Sequence, residues 1–243
     1  MMNELQKLYE KQIAELAEVS AKCGRLGFVA SHGGNLSMKA APDVILITPT
    51  KVAKENIRFE DICIVDGSGK TVFAAPNRKP TGETPMHVFI YQKRPDLKSL
   101  VHAHPPVLTG FAIAGNTVLE RPILPEPCIE LGPILSIPYA EPISQALANC
   151  FESVLPFSNA WLMKNHGITI GSDQGVERTL GLLQMAEAMA QSVMVAGQCG
   201  GVKEIPRDEV ENLSRVLAAR DLPCPGDPRR KHTLASLYFE EEK

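Results

Sequence analysis

Apolar positions along this chain recur in two rhythms. Over residues 4–25, Leu5, Leu8, Ile13, Leu16, Ala17 and Val19 fall at near-helical spacing, and Gly24 and Gly27 sit where that helix should end. Shorter β-rich runs follow. Ser31-His32-Gly33-Gly34-Asn35-Leu36-Ser37-Met38 reads as a glycine turn entering a strand. Residues 44–49 and 62–66 read as further strands, and Asp66-Gly67-Ser68-Gly69 as a hairpin turn into Thr71-Val72-Phe73. Pro85, early in residues 83–94, suits a helix start capped by Thr81 or a neighbour.

Residues 99–106 read as a strand, and the proline-rich stretch 122–142 argues against a long helix there. Residues 161–171 read as one more strand with a kink at Gly167. The clearest helix covers 173–198, with Asp173 as N-cap and Gly197 or Gly200 near its end. A last helix is expected over 206–219. Strands outnumber what a βαβ alternation supplies, so the predicted fold is α/β: a single domain with a central, mostly antiparallel sheet flanked by helices. That domain is expected over residues 1–222. Residues 223–243 form a turn-rich tail, expected to be mobile or to contribute to a subunit interface.

Composition narrows the function classes. The chain has 243 residues, enough for a well-buried core, and its 44% hydrophobic and 22% charged content is ordinary for a soluble globular protein. A net charge of −3 argues against nucleic acid as partner, since a phosphate-tracking surface needs a basic excess. No run of 18 apolar residues and no signal-peptide core appear, so no membrane partner and a cytoplasmic location are expected. The six cysteines (Cys23, Cys63, Cys128, Cys150, Cys199 and Cys224) form no CxxC pair and read as inert thiols in a reducing compartment.

Candidate chemistry centres on three histidines. On an extended strand His102 and His104 point to the same side, about 6.5–7 Å apart, with Ala103 directed to the other. A third imidazole from Asn165-His166-Gly167 would complete a three-histidine set with an open fourth position, as a catalytic zinc needs. Glu83, in Gly82-Glu83-Thr84-Pro85-Met86-His87, supplies a carboxylate that either holds the open position or acts as a base. His87 lies four residues on, sharing that helix face, and reads as a packing or supporting residue rather than a ligand.

Five pieces occur in the order of one known family: Gly34-Asn35-Leu36-Ser37, Thr48-Pro49-Thr50, Gly82-Glu83 before a helix, His102-Ala103-His104 and Asn165-His166-Gly167. Over roughly residues 5–200 the chain resembles the class II aldolase/adducin family, and most closely its L-fuculose-1-phosphate and related ketose-1-phosphate aldolases. The resemblance implies a homotetramer with active sites at subunit interfaces. It implies one Zn²⁺ per subunit, with Co²⁺ or Mn²⁺ as substitutes, bound by His102, His104, His166 and, at rest, Glu83. Glu83 then becomes the base when substrate displaces it.

The implied activity is cleavage of a (deoxy)ketose 1-phosphate, such as L-fuculose 1-phosphate or 5-deoxy-ribulose 1-phosphate, to dihydroxyacetone phosphate and an aldehyde. The matching phosphate-binding positions are Gly34, Asn35, Thr50, Lys51, Thr81 and Gly82. Two of them depart from the aldolase pattern: Lys51 stands where a glycine is usual, and Thr81-Gly82 stand for two serines. The family's general acid is a tyrosine from the neighbouring subunit. Its place falls to Glu126 here, with Tyr238 and Tyr139 as other candidates. Thr84-Pro85-Met86-His87 is similar to the L-ribulose-5-phosphate 4-epimerase helix, so epimerase-like or sugar-acid phosphate decarboxylase activity is the alternative. An adducin-like scaffold without catalysis is the non-enzymatic one, although such domains lack the metal histidines.

Overall fold

The computed structural model describes residues 4–239. The first helical stretch is split. Tyr9 leaves helical backbone at φ −111°, ψ 26°, so α1 (Glu4–Leu8) precedes α2 (Glu10–Arg25). The exit from α2 matches the expected glycine stop: Gly27 adopts φ +73° and its N–H reaches the Gly24 carbonyl. The chain then lays down β1 (Asn35–Ala41), β2 (Val44–Ile47), β3 (Cys63–Val65) and β4 (Thr71–Phe73) as an antiparallel meander. After α3 (Thr84–Lys93), β5 (Ser99–Ala103) enters beside β1.

The short α4 (Pro106–Ala114) and α5 (Pro125–Glu130) follow, then β6 (Leu135–Ile137) and α6 (Gln145–Asn149). Strands β7 (Ala160–Met163) and β8 (Gly167–Ser172) complete one sheet of order β4-β3-β2-β1-β5-β8-β7-β6. Every neighbouring pair is antiparallel except β6 and β7, which run parallel. The long α7 (Val176–Gln198), α8 (Arg207–Ala219) and α9 (Leu234–Phe239) close the fold.

Two expectations need correction. Residues 161–171 are two strands, not one kinked strand: Lys164 and Asn165 are exposed in a tight turn, and Asn165 takes the left-handed backbone (φ +55°) that asparagine tolerates. Asp173 does not cap α7; the helix begins two residues later, behind Gly175, with no side-chain cap. As expected, the proline-rich stretch forms no long helix: it holds the six-residue α5, which starts at Pro125, and the three-residue β6. The tail packs against the domain within residues 223–239. Its Gly226 carbonyl accepts from the buried Arg94 guanidinium, and α9 puts Leu234, Ala235 and Leu237 against Val210 and Leu217 of α8.

Period-two alternation divides the sheet between two cores. Leu36, Met38, Val101, Ala103, Ile168 and Ile170 face α2 and α7, joining Ile13, Leu16, Leu180 and Leu183. On the opposite face Ile45, Ile47, Leu100 and Trp161 pack against α3 and α6 through Met86, Ile90, Leu147 and Phe151. The α3 face also carries polar residues. Asn35 and Ser37 alternate with Leu36 and Met38 on β1, and Asn35, His102 and Thr169 form one cross-strand row through β1, β5 and β8. Along α3, Glu83, His87 and Tyr91 stand at intervals of four, so one line of the helix covers that row.

Candidate metal centre and anion cleft

His102 is fully buried in that row, and its Nδ1 bonds to the Ile168 carbonyl at 3.0 Å. A neutral imidazole that donates from Nδ1 keeps a bare lone pair on Nε2, the usual way a backbone carbonyl fixes the tautomer of a ligating histidine. His104 lies one residue past the end of β5, yet it stays on the same side, with its Nε2 3.0 Å from the Nε2 of His102. His166 enters from the β7–β8 turn. Its ring centroid is 4.8 Å from that of His102 and 5.3 Å from that of His104.

One nitrogen from each imidazole lies within 4.8 Å of the others. Burial pushes the His102 imidazole well below its ordinary range, reinforced by His104 and His166. Burial, followed by His166, lowers His104 to about 4. His102 and His104 are thus held neutral, and one nitrogen of each of the three rings converges on one point.

Glu83 completes the group. It sits just before α3 and is 7% exposed. Its Oε2 accepts from Asn35 Nδ2 at 2.8 Å and lies 3.3 Å from His102 Nε2. Its Oε1 is buried 3.5 Å from His166 Nε2, with no hydrogen-bond partner. A buried orphan carboxylate oxygen and converging imidazole lone pairs are costly by themselves, and a divalent cation satisfies both. Nitrogen ligands each 2.0–2.1 Å from a tetrahedral zinc lie roughly 3.3 Å apart, close to the His102–His104 spacing. The residues fit a metal.

Two glycines let the backbone come this close. A Cβ on Gly34, which adopts φ +63°, would lie 2.6 Å from the His102 carbonyl oxygen, and one on Gly167 would strike the Ala103 carbonyl and the His104 ring. Gly34→Ala is expected to cost about 3 kcal/mol, from left-handed strain plus displacement of β5. Denaturant unfolding of the metal-free protein measures this. A loss below about 1 kcal/mol would mean that β5 yields freely.

The same buried imidazoles make stability depend on pH. His87, lowered to about 4 by burial, and His104 stay neutral when folded, whereas an unfolded imidazole titrates near 6.5. Between those values the unfolded chain binds more protons. The metal-free protein should therefore lose stability as pH falls from about 6.5 toward 4, and change little from this source above that window. Urea midpoints at about pH 7.5 and about pH 4.5 test it, and equal midpoints would contradict neutral burial.

Beside the metal centre opens a cleft lined by His32, Gly33, Gly34, Asn35, Pro49, Thr50, Thr81, Gly82, Glu83, Pro142, Ile143 and His166. Its floor is tied together by backbone bonds from Thr50 N–H to Lys79 O and from Thr81 N–H to Thr48 O. Thr81 Oγ1 accepts from the Glu83 N–H, but Thr81 does not cap α3: the N-cap position is Glu83 itself, with no side-chain cap bond. Of the predicted phosphate-binding residues, Gly34, Asn35, Thr50, Thr81 and Gly82 line the cleft. Lys51 does not. It is exposed in left-handed backbone (φ +58°), a conformation that glycine adopts more readily than lysine.

The proposed general acids are not brought to this cleft within one chain. Glu126 is exposed in the first turn of α5. Tyr238 packs against Cys128 beneath α8, and burial pushes its hydroxyl well above the ordinary range. Tyr139 is exposed at 62%.

Five lining residues were not singled out as site residues from the sequence: His32, Gly33, Pro49, Pro142 and Ile143. Pro142 and Ile143 arrive from the loop after β6, and Ile143 holds φ +68°, unusual for a β-branched residue. Its side chain fills the space over Gly82 that a Cβ there would need, about 3.0 Å away. Nothing in the local sequence signals that contact.

Comparison with known proteins agrees with this geometry. The family model described as Class II Aldolase and Adducin N-terminal domain matches residues 14–194. The chain is 28% identical over 211 residues to 5-deoxy-D-ribulose 1-phosphate aldolase of Bacillus thuringiensis serovar kurstaki, covering 86% of this chain and 96% of that one. It is 30% identical over 200 residues to L-fuculose phosphate aldolase of Haemophilus influenzae, covering 79% and 86%. Among solved structures, an L-fuculose 1-phosphate aldolase superposes with a TM-score of 0.75 at 25% identity, covering 85% and 96%. The matched span runs from α2 to α7 and takes in the β1 turn, Glu83 and all three histidines. With its three-imidazole centre and adjoining carboxylate, this chain belongs to the class II aldolase and adducin N-terminal domain family.

Proposed function

We propose that this chain is a metal-dependent aldolase that cleaves a (deoxy)ketose 1-phosphate to dihydroxyacetone phosphate and an aldehyde. L-Fuculose 1-phosphate and 5-deoxy-ribulose 1-phosphate are the substrate types its relatives suggest. One observation carries the reading: Glu83 Oε1 is buried without a partner at the mouth of three converging imidazoles. His102, His104 and His166 hold the metal, read as Zn²⁺ with Co²⁺ or Mn²⁺ as substitutes, and Glu83 joins them at rest. Bound there, a divalent cation supplies Lewis-acid stabilisation of the negative charge that develops on the substrate oxygens.

This chain's residues do the rest. In the direction of C–C bond formation, Glu83 Oε1 takes the proton from C3 of dihydroxyacetone phosphate, while Oε2 stays anchored to Asn35. As the C3–C4 bond forms, the aldehyde oxygen takes a proton from an acid. Cleavage runs the same transfers backwards. Glu126 or Tyr238 from a neighbouring protomer of a homotetramer is the proposed acid, with the cleft completed at the interface.

The phosphate is read into the cleft between Thr50, Thr81 and the backbone of Gly34 and Gly82, with the second N–H of the Asn35 amide turned toward it. Lys51 would add charge from the rim. The catalytic domain is read over residues 1–222, with 223–243 as its C-terminal tail, and the location as the cytoplasm. Among the described residues, no helix is long and apolar enough to cross a membrane.

The experiment is dihydroxyacetone phosphate release from a panel of ketose 1-phosphates, with and without chelator. Release abolished by EDTA and restored by Zn²⁺ is expected. A protein that carries stoichiometric metal and cleaves none of them, but epimerises a pentulose 5-phosphate at C4 or decarboxylates a sugar-acid phosphate, would replace the aldolase reading.

A further inference from the structure

Behind Glu83 a buried chain of hydrogen bonds runs through Asn35 to residues that do not line the cleft. Glu83 Oε2 meets Asn35 Nδ2 at 2.8 Å, Asn35 Oδ1 meets His87 Nε2, His87 Nδ1 meets Ser37 Oγ at 2.7 Å, and Ser37 Oγ meets Tyr91 OH at 2.9 Å. Asn35, Ser37, His87 and Tyr91 are all at most 5% exposed, so no water competes for these bonds. The direction of each follows from the first. A carboxylate only accepts, so the Asn35 amide must present its NH₂ to Glu83 and its carbonyl to His87. His87 must then carry its proton on Nε2, leaving Nδ1 to accept from Ser37, whose oxygen accepts from Tyr91.

We propose that His87 is a positioning residue, held by Ser37 and Tyr91 in the Nε2–H tautomer so that Asn35 can meet Glu83 only through its NH₂. A free asparagine beside a carboxylate could rotate. Here rotation would set the Asn35 carbonyl against Glu83 and its NH₂ against the Nε2–H of His87, losing both bonds inside a dry core. The relay therefore fixes Glu83 Oε2 and leaves Oε1 directed at the metal centre. It places the carboxylate from α3, through β1, at four-residue intervals along one helix line. The inference rests on the reading of Glu83 as the base.

Two measurements test it independently. In ¹⁵N-histidine-labelled, metal-loaded protein, the His87 ring should show a protonated Nε2 and a bare Nδ1. An Nδ1–H tautomer or a doubly protonated ring would overturn the proposal, whatever the fate of the base assignment. In kinetics, His87→Leu should lower kcat by about 10²-fold, the scale of a misplaced catalytic group, while KM changes by less than about 3-fold and metal content is retained. His87→Gln, whose Nε2 can still donate to Asn35, should recover to within about 5-fold of the native kcat.

Equal activity of the Leu and Gln variants, at either level, would count against positioning. Should the Leu variant not fold, Ser37→Ala and Tyr91→Phe serve instead: each should lower kcat and mix the His87 tautomers, and unchanged values of both would sink the idea. If Glu83→Gln proves active, the base assignment fails while the tautomer result still stands or falls alone.

Discussion

Glu83→Gln is expected to retain bound metal and to lose about 10³-fold in kcat, within the range that a positioned general base contributes. The substitution conserves shape. A glutamine oxygen can still accept from Asn35 Nδ2, and the three imidazoles remain in place to hold the ion. What is lost is the ability to take a proton: an amide at the position of the buried, unpartnered Oε1 cannot accept one from carbon. Metal analysis and turnover of the same preparation check this. Exchange of the C3 hydrogen of dihydroxyacetone phosphate with deuterated solvent isolates the proton transfer, and should fall with kcat. A variant that turns over within about 3-fold of the native protein would remove Glu83 as the base.

His102→Ala is expected to act one level lower, on the metal itself. Its Nε2 lies 3.0 Å from that of His104 and 3.3 Å from Glu83 Oε2, at the centre of the group. Changing a residue that merely supports a ligand costs 10–100-fold in metal affinity, so loss of the ligand should exceed about 10²-fold. Competition with a chelator of known affinity measures the change. Activity should vanish after dialysis and return only partly at high metal concentration. Because the side chain is fully buried and its Nδ1 satisfies the Ile168 carbonyl, the metal-free variant should also be less stable than metal-free native protein. A variant that binds metal as tightly as the native chain would mean that the ion sits elsewhere.

Much of the site was legible because its residues are set by short-range rules. His102 and His104 are two apart on a strand, and strand alternation alone puts both on one side. Glu83 and His87 are four apart at the start of a helix, and helical periodicity alone stacks them. Pro85 marked where that helix begins, and Gly27 where α2 ends, since each reports a local backbone preference. The turn at His166 was harder. Two apolar runs joined by Lys164-Asn165-His166 read as one long strand until the exposure of the turn is known, although an asparagine in left-handed backbone is the kind of residue such a turn takes.

Other features depended on partners distant in sequence. Ser37 and Tyr91 look like an ordinary strand serine and helix tyrosine; only the packing of α3 across β1 makes them one chain with His87. Ile143 reaches Gly82 from a loop some sixty residues away, so its place over the cleft follows from the whole sheet. The tail reads as turn-rich because of its three prolines and Gly226. It is held nonetheless by Arg94, which donates to the carbonyls of Leu155 and Ser158 in one stretch of chain and of Gly226 in another.

By itself, then, the sequence determined which residues could share a face: the alternation that pairs His102 with His104, the four-residue step from Glu83 to His87, and the glycines at the tight turns. The tertiary structure decided which faces meet. It brought the β7–β8 turn to within reach of Glu83, left Glu126 and Tyr238 outside the cleft of their own chain, and gave the carboxylate one anchored and one orphaned oxygen. The physical reason is range. Backbone periodicity acts over a few residues and is written in order along the chain, whereas burial and hydrogen-bond satisfaction are settled only when the sheet and α3 close over the polar row between them.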